Sequence, residues 1–272
     1  MSIHNKSSLH RSHFYLMSKN AKKYQKFYFD KKMIKTAVIM AAGMGTRFGE
    51  RTELMPKGFI PFKGKAMVVR SIETLIACGI ERIIIGTGYH KEYYEALQAQ
   101  YPQVECCFSP RFAETNSMYT LWNCREMIGD ADFLLLESDL VFEKRAIECL
   151  LEAPHESTML ITPVTKFQDQ YYVEMDERGV LTNCSTDPKA LHYSGELVGI
   201  HKLTNDFYCT MCKEYAAIVD AKPKLGYEFE LLDISQRILP MKVLCVEGLQ
   251  WYEIDDENDL KFAETNILNI NI

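Results

Sequence analysis

The chain reads as an α/β fold: a mostly parallel, mixed central sheet flanked by helices, with a small β-rich part in its second half. Three observations predict it. Short β-branched apolar runs alternate with amphipathic helical segments from Lys35 to about Met127. Glycine-bearing turns end the first two runs, at Gly43 to Gly45 and Gly86 to Gly88. After Met159 the strands come closer together, with a hairpin signal at Asp176-Glu177-Arg178-Gly179.

Thr36–Ala41 is apolar and β-branched, as a strand buried on both faces requires. Met67–Cys78 places Val68, Val69, Ile72, Leu75 and Ile76 on one helical face, and Gly79 supplies the stop. Arg82–Ile85 is the second strand, Lys91–Gln100 a helix and Val104–Phe108 the third strand. Met118–Met127 is expected to be helical and Phe133–Leu136 to be the fourth strand. Met159–Val164 is one more buried strand. Tyr171–Met175 and Val180–Ser185 flank the hairpin turn, and Leu197–Leu203 is a further strand. Helices are expected near Asn205–Ile218 and Phe229–Ile238, and short strands at Val243–Val246 and Trp251–Ile254. A last helix, Glu257–Leu268, is capped by Asp256 or Asp255.

The 272 residues are 47% hydrophobic and 25% charged, enough to bury a full core without disulfides. The net charge of −6 conceals a basic segment, residues 1–32 at +7, against −13 for the rest. Residues 1–32 lack apolar periodicity and are read as a basic, disordered extension; 33–272 are read as the working domain. An acidic body opposes broad nucleic-acid binding. No apolar run approaches the roughly 20 residues that span a bilayer. The nine scattered cysteines, without a secretory signal, point to free thiols in a reducing cytoplasm. Cys209-Thr210-Met211-Cys212 has no second pair and no nearby His, so no metal or redox role is assigned to it. Oligomeric state is left open, a homodimer being compatible with the sequence.

The segment that carries chemistry runs from Ala37 to Phe59, AVIMAAGMGTRFGERTELMPKGF. A buried strand leads into Ala41, Ala42, Gly43, Met44, Gly45 and Thr46. Small residues let the backbone fold tightly and turn its N–H groups toward phosphate oxygens. Arg47 and Lys57 add full positive charge. No GKS or GKT follows, and the glycine spacing is not that of a dinucleotide fold. The string resembles the signature of the nucleotidyltransferases that make nucleoside-diphosphate sugars and CDP-alcohols. The resemblance extends from about Met33 to the C-terminus and implies a Rossmann-like nucleotidyltransferase fold. It also implies that the loop wraps a triphosphate while Arg47 and Lys57 offset charge as the α-phosphorus is attacked.

A triphosphate normally arrives with Mg²⁺, which takes oxygen ligands. Asp139 follows the fourth strand, and Asp255 follows a late strand and precedes a helix. Both stand where open α/β sheets place ligands, and both match the resembled family's metal positions. Asp256 and Glu257 are alternatives to Asp255. Glu137 is expected to face away from Asp139. The reaction so implied is an in-line displacement by an acceptor oxygen that is already anionic, so no histidine is needed.

Gly88, Asn116 and Ser117 lie in loops that carry base and ribose contacts in similar enzymes. The strings IIIGTGYHKE, ETNSMYTLW and WYEIDDEND bring the resemblance closest to bacterial cytidylyltransferases of small aminoalcohol-type acceptors. These are the phosphocholine and 2-aminoethylphosphonate enzymes. The substrates implied are CTP and a small amino-phosphonate or amino-phosphate, with 2-aminoethylphosphonate favoured over phosphocholine. Sugar-1-phosphate transfer and a non-catalytic nucleotide sensor are the further readings. Tyr171 and Tyr172 are placed where a cage residue for a quaternary head would lie, and Glu228, Glu230 and Asp233 form an acidic cluster read either as carboxylates for an ammonium or as a solvated helix face.

Overall fold

The computed structural model describes residues 33–165 and 170–267; the basic extension 1–32 and the expected helix end at Leu268 lie outside them. Strand β1 (Thr36–Ala41) is buried at all six positions. Its side chains alternate: Ile39 enters one hydrophobic cluster, Val38 and Met40 the other. The glycine segment leads to a five-residue helix, α1 (Glu50–Leu54), and then to a small hairpin, β2 (Pro61–Phe62) with β3 (Lys65–Ala66). That hairpin turns at Lys63 and Gly64, both at positive φ. Helix α2 (Met67–Ala77) ends in a Schellman motif, with Gly79 at φ 86° and Ile80 N–H donating to Leu75 O at 3.0 Å.

Strand β4 (Arg82–Thr87), helix α3 (Lys91–Leu97) and strand β5 (Val104–Phe108) follow as expected. The expected helix Met118–Met127 is interrupted at Cys124, giving α4 (Ser117–Asn123) and α5 (Arg125–Ile128). After β6 (Phe133–Glu137) come two elements the periodicity did not predict, β7 (Leu140–Phe142) and α6 (Arg145–Glu152). Then follow β8 (Thr158–Thr162), β9 (Tyr172–Met175), β10 (Leu181–Ser185) and β11 (Gly195–Leu203). Helices α7 (Asn205–Ala216) and α8 (Tyr227–Arg237), strands β12 (Lys242–Cys245) and β13 (Trp251–Glu253) and helix α9 (Glu257–Asn266) complete the described chain.

The main sheet runs β10-β9-β11-β6-β1-β4-β5, with β8 and β12 branching from β11. Strands β6, β1, β4 and β5 are parallel; β11 is antiparallel to β6, β8 and β9. The sheet is therefore mixed, and β11 joins its parallel half to the β-rich half. Gly199, at φ 77°, sits at the register shift where β11 bends. Gly195 is required for another reason: a Cβ there would lie 2.3 Å from Thr162 O. Gly195→Ala must part β11 from β8 and is expected to lower stability by about 1–3 kcal/mol. Urea unfolding measures it, and an unchanged midpoint would show the strands yield freely.

Helices α2, α3 and α6 cover one face of the sheet around Ile39, Ile85 and Leu136. Helices α4, α7 and α8 cover the other around Val38, Ile84 and Leu135. A third cluster, Phe48, Ile60, Phe62, Met67, Val141, Ile254 and Leu260, lies beneath the glycine segment.

Candidate active site

The parallel register brings the carboxyl ends of β1, β4 and β6 to one edge, with Ala41 beside Thr87 and Met40 beside Glu137. The loops that follow these strands are therefore neighbours. In the glycine loop, Ala41 and Ala42 are buried, while Met44 is exposed. Gly43 has open space where a Cβ would stand. Gly45 takes φ 61°, and a Cβ there would press on Lys57 and Thr52 at 3.0 and 3.1 Å. Thr46 begins a single 3₁₀ turn, Thr46–Phe48. Phe48 drops into the apolar cluster below it, so the preceding Arg47 stays outward, with a side chain 56% exposed.

Arg47 donates to Asp255 Oδ1 at 2.7 Å. Lys57 Nζ reaches Asp139 Oδ2 and Asp255 Oδ1, both at 2.5 Å. Residues 116 positions apart meet because β13 pairs antiparallel with β7, setting Glu253 opposite Leu140. Ile254 N–H then donates to Asp139 O at 3.1 Å. Asp256 supplies the cap of α9, accepting from Asn258 N and Asp259 N, which leaves Asp255 to face the lysine. Burial alone would lower the Lys57 pKa; Asp139 and then Asp255 outweigh it and hold the ammonium above its ordinary range.

Glu253 joins this group. One carboxylate oxygen from each of Asp139, Glu253 and Asp255 lies within 4.8 Å of the others. Asp139 Oδ1 is buried without a hydrogen-bond partner. An all-oxygen set with an unsatisfied buried carboxylate oxygen fits a hard divalent cation.

Two cavities open beside the cluster. One, of about 160 Å³, is lined by Ala42, Gly43, Phe112, Asn116, Ser117 and Glu137, among others. The other, of about 130 Å³, is lined by Arg47, Glu137, Tyr171, Tyr227, Glu228 and Glu253, together with Asp255 and others. Glu137 belongs to both and forms the wall between them. Burial, then Asp139 and Glu228, pushes its carboxyl well above the usual range. Burial raises Glu228 to about 7. The Tyr171 phenol is pushed up to about 12, by burial first and then by Glu228.

The structure brings together Arg47, Lys57, Asp139 and Asp255, and sets Tyr171 and Glu228 in the adjoining cavity. It corrects the expectations for Glu137 and Glu230 and adds structural roles at Gly88, Asn116 and Ser117. Glu137 does not turn away from Asp139: β6 ends at Glu137, and from the turn that follows the Asp139 charge acts on the Glu137 carboxyl. Glu230 does not join Glu228: it lines a separate groove between α7 and α8, with Asp233 and Arg237. Residues two apart on a helix point apart. Gly88 makes room for the protein itself, since a Cβ there would lie 2.6 Å from both Ala42 O and Phe112 Cβ. Asn116 and Ser117 line the first cavity, but their side chains also hold structure. Asn116 accepts from Ser117 N and donates to Lys224 O, and Ser117 Oγ accepts from Tyr227 N.

A family model described as a MobA-like NTP transferase domain matches residues 37–202, more than half of the chain. The chain belongs to this family. It is a nucleotidyltransferase by that membership, and the match spans the glycine loop, Lys57 and Asp139. Among curated relatives, CMP-5'-(3-aminopropyl)phosphonate synthase of Streptomyces rubellomurinus is 26% identical over 241 residues, 84% of this chain and 38% of that protein. The chain thus spans well under half of that relative. The 2-aminoethylphosphonate cytidylyltransferase of Lancefieldella rimae is 27% identical over 186 residues, 68% of each. Among solved structures, the CTP:phosphocholine cytidylyltransferase from Streptococcus pneumoniae superposes with a TM-score of 0.73 over 86% of this chain and 98% of its own, at 24% identity. That likeness is one of fold.

Two residues beside the carboxylate cluster escaped the sequence reading as candidates, Glu253 and Glu137. Each stands two positions before a carboxylate that was singled out, Asp255 and Asp139. An acidic residue at each strand end, two positions before the candidate aspartate, was the available signal. Among the described residues, no helix is long and apolar enough to cross a membrane.

Proposed function

We propose that the chain transfers CMP from CTP to a small acceptor bearing a phosphonate or phosphate at one end and a primary ammonium at the other. 2-Aminoethylphosphonate is the first candidate. The observation that carries this is the second cavity, with Arg47 on one side and Glu137, Glu228 and Glu253 around it. A cation at one end of the acceptor suits the carboxylates, and an anion at the other suits Arg47. The names of the Streptomyces and Lancefieldella relatives agree with a CMP donor and an aminoalkylphosphonate acceptor.

In this reading the glycine loop N–H groups, Arg47 and Lys57 hold the triphosphate. The acceptor oxygen attacks the α-phosphorus in line, a new P–O bond forms and the bond to pyrophosphate breaks. The attacking oxygen is already anionic, so no general base is required. Mg²⁺ is proposed at Asp139, Glu253 and Asp255, where it would neutralise charge on the triphosphate and polarise the α-phosphorus. Purified chain with CTP, Mg²⁺ and 2-aminoethylphosphonate is expected to release pyrophosphate. No release with this acceptor or with phosphocholine would remove the proposal. A second reading, phosphocholine as acceptor, is favoured by the aromatic walls. Tyr171 and Tyr227 line the cavity, and Phe229 meets Tyr171 edge to face at 5.9 Å. Relative turnover on the two acceptors decides between them.

Glu228 gives a pH-dependent test. Its pKa near 7 means the neutral carboxyl prevails below that pH, whereas an ammonium needs the carboxylate. The acceptor KM is expected to fall as pH rises through about 7. Glu228→Gln is expected to raise it roughly tenfold at pH 8, remove that pH dependence and leave the CTP KM unchanged. For stability the sign is opposite. A folded pKa above the unfolded one makes ionisation oppose folding, with the loss growing between about pH 4.5 and 7. Glu228→Gln is therefore expected to gain about 1–2 kcal/mol over the parent across that window. Equal pH profiles for the two proteins would show that Glu228 does not meet the acceptor.

A further inference from the structure

Helix α1 is the spacer between Arg47 and Lys57, and five residues are too few to hold a helix in place by themselves. Its anchors are side-chain hydrogen bonds, from one residue within the helix and two in the segment 90–93. Thr52, buried in the structure, donates from Oγ1 to Gly45 O at 3.1 Å and to Gly49 O at 3.0 Å. The end of α1 is held from the opposite direction. Tyr93 donates its hydroxyl to Leu54 O at 2.8 Å, and His90 Nε2 lies 3.1 Å from Glu53 O. These two carbonyls are among those a helix end leaves without intrahelical partners.

Both clamp residues are themselves held. Tyr93 packs edge to face against Phe59, with ring centroids 5.3 Å apart, two residues after Lys57. His90 stacks on Tyr89 at 4.1 Å, and its Nδ1 meets Glu92 Oε1 at 3.1 Å. The His90 backbone stands at φ 51°, one of two non-glycine residues with positive φ among the described residues. Such a conformation is costly and persists only where surrounding contacts impose it. The start of the loop is held to the C-terminal region by Phe48, packed with Ile254 and Leu260, and by ion pairs of Arg47 with Asp255 and Arg51 with Glu257. Tyr93 and His90 hold the opposite end.

We propose that Tyr93 and His90 are positioning residues for triphosphate binding: they fix the end of α1 and, through Phe59, Thr52 and the Gly45 turn, the place from which Lys57 reaches the phosphates. Neither side chain lines either cavity. The role rests on the reading that this loop holds the triphosphate. The carbonyl contacts act on the Lys57 end of the loop, and the acceptor cavity's carboxylates Glu137, Glu228 and Glu253 stand on other elements.

The test is steady-state pyrophosphate release by the parent, Tyr93→Phe, His90→Asn and Tyr101→Phe, varying CTP at saturating acceptor and then the reverse. Phenylalanine keeps the packing on Phe59 and removes only the hydroxyl. Asparagine tolerates positive φ and is too short to reach Glu53 O. Tyr101→Phe removes a comparable hydroxyl contact, to Glu73 at 3.0 Å, away from the loop. Tyr93→Phe and His90→Asn are each expected to raise the CTP KM roughly five- to tenfold while the acceptor KM stays within twofold. Tyr101→Phe is expected to change neither. A CTP KM within twofold of the parent in both clamp variants, or equal rises in both KM values, would overturn the proposal. A parent that releases no pyrophosphate with any nucleoside triphosphate would instead remove the reading on which it rests.

Discussion

Lys57→Met is expected to lower kcat by about 10³-fold and to change the apo protein's stability in a metal-dependent way. The catalytic part follows from position. Lys57 touches Asp139 and Asp255 together, at 2.5 Å each, and it stands beside the Gly45 turn, the proposed phosphate cradle. Removing a preorganised charge from the place where transition-state charge develops costs more than removing a binding contact, so the effect should fall on kcat more than on KM. The stability part follows from burial. The Lys57, Asp139 and Asp255 side chains are 13%, 15% and 5% exposed, so the variant leaves two enclosed carboxylates with no ammonium between them. Taking one partner from such a group costs about 2–4 kcal/mol. Arg47 still meets Asp255, which places the loss at the lower end. A divalent cation supplies the missing positive charge, so added Mg²⁺ should raise the melting temperature of Lys57→Met by more than it raises that of the parent. Calorimetry with and without Mg²⁺ checks this. Equal metal-induced shifts in the two proteins would mean that lysine and metal do not share these carboxylates.

The parallel half of the fold was legible because its strands are buried on both faces. A run such as TAVIMA has no other stable place in a soluble protein, and β1 spans the six residues expected of it. Lys57, Asp139 and Asp255 were legible as candidates because each follows a readable element. Their meeting was not legible. It depends on the β7–β13 pair, three residues on each strand, too short for any alternation to register. The same blind spot concealed Glu253. The split at Cys124 was hidden because Met118–Met127 keeps a helical apolar spacing across the break. Glu228 and Glu230 looked equivalent as a cluster in the sequence, and only helical geometry separates them. Glu228 faces the cavity with Tyr171, whereas Glu230 faces the groove with Arg237. Asn116 and Ser117 line the first cavity, and their hydrogen bonds to Lys224 and Tyr227 also tie α4 to the segment entering α8.

Asp139→Asn is expected to cost as much activity as Lys57→Met while moving metal affinity the other way. Asn is nearly isosteric and can still accept from Lys57, so the cavity walls keep their shape. What changes is charge: the cluster keeps Glu253 and Asp255 and loses the carboxylate whose Oδ1 has no protein partner. An amide oxygen is a weaker ligand for a hard cation than a carboxylate, and the amide nitrogen is no ligand at all. Metal affinity should fall by at least tenfold, read directly from Mn²⁺ electron paramagnetic resonance without any turnover. Pyrophosphate release should fall by about 10³-fold. Folding should be nearly unaffected, because Lys57 retains Asp255 and one of two like charges has been removed from its neighbourhood. The three readouts separate the roles of the two residues. Lys57→Met destabilises and sensitises the protein to metal; Asp139→Asn leaves stability alone and desensitises it. If both act on one metal-assisted step, the double variant should lose little more activity than either single one. Retention of more than a tenth of parent activity by Asp139→Asn, or losses in the double variant that multiply to about 10⁶-fold, would place Asp139 outside the reaction that Lys57 serves.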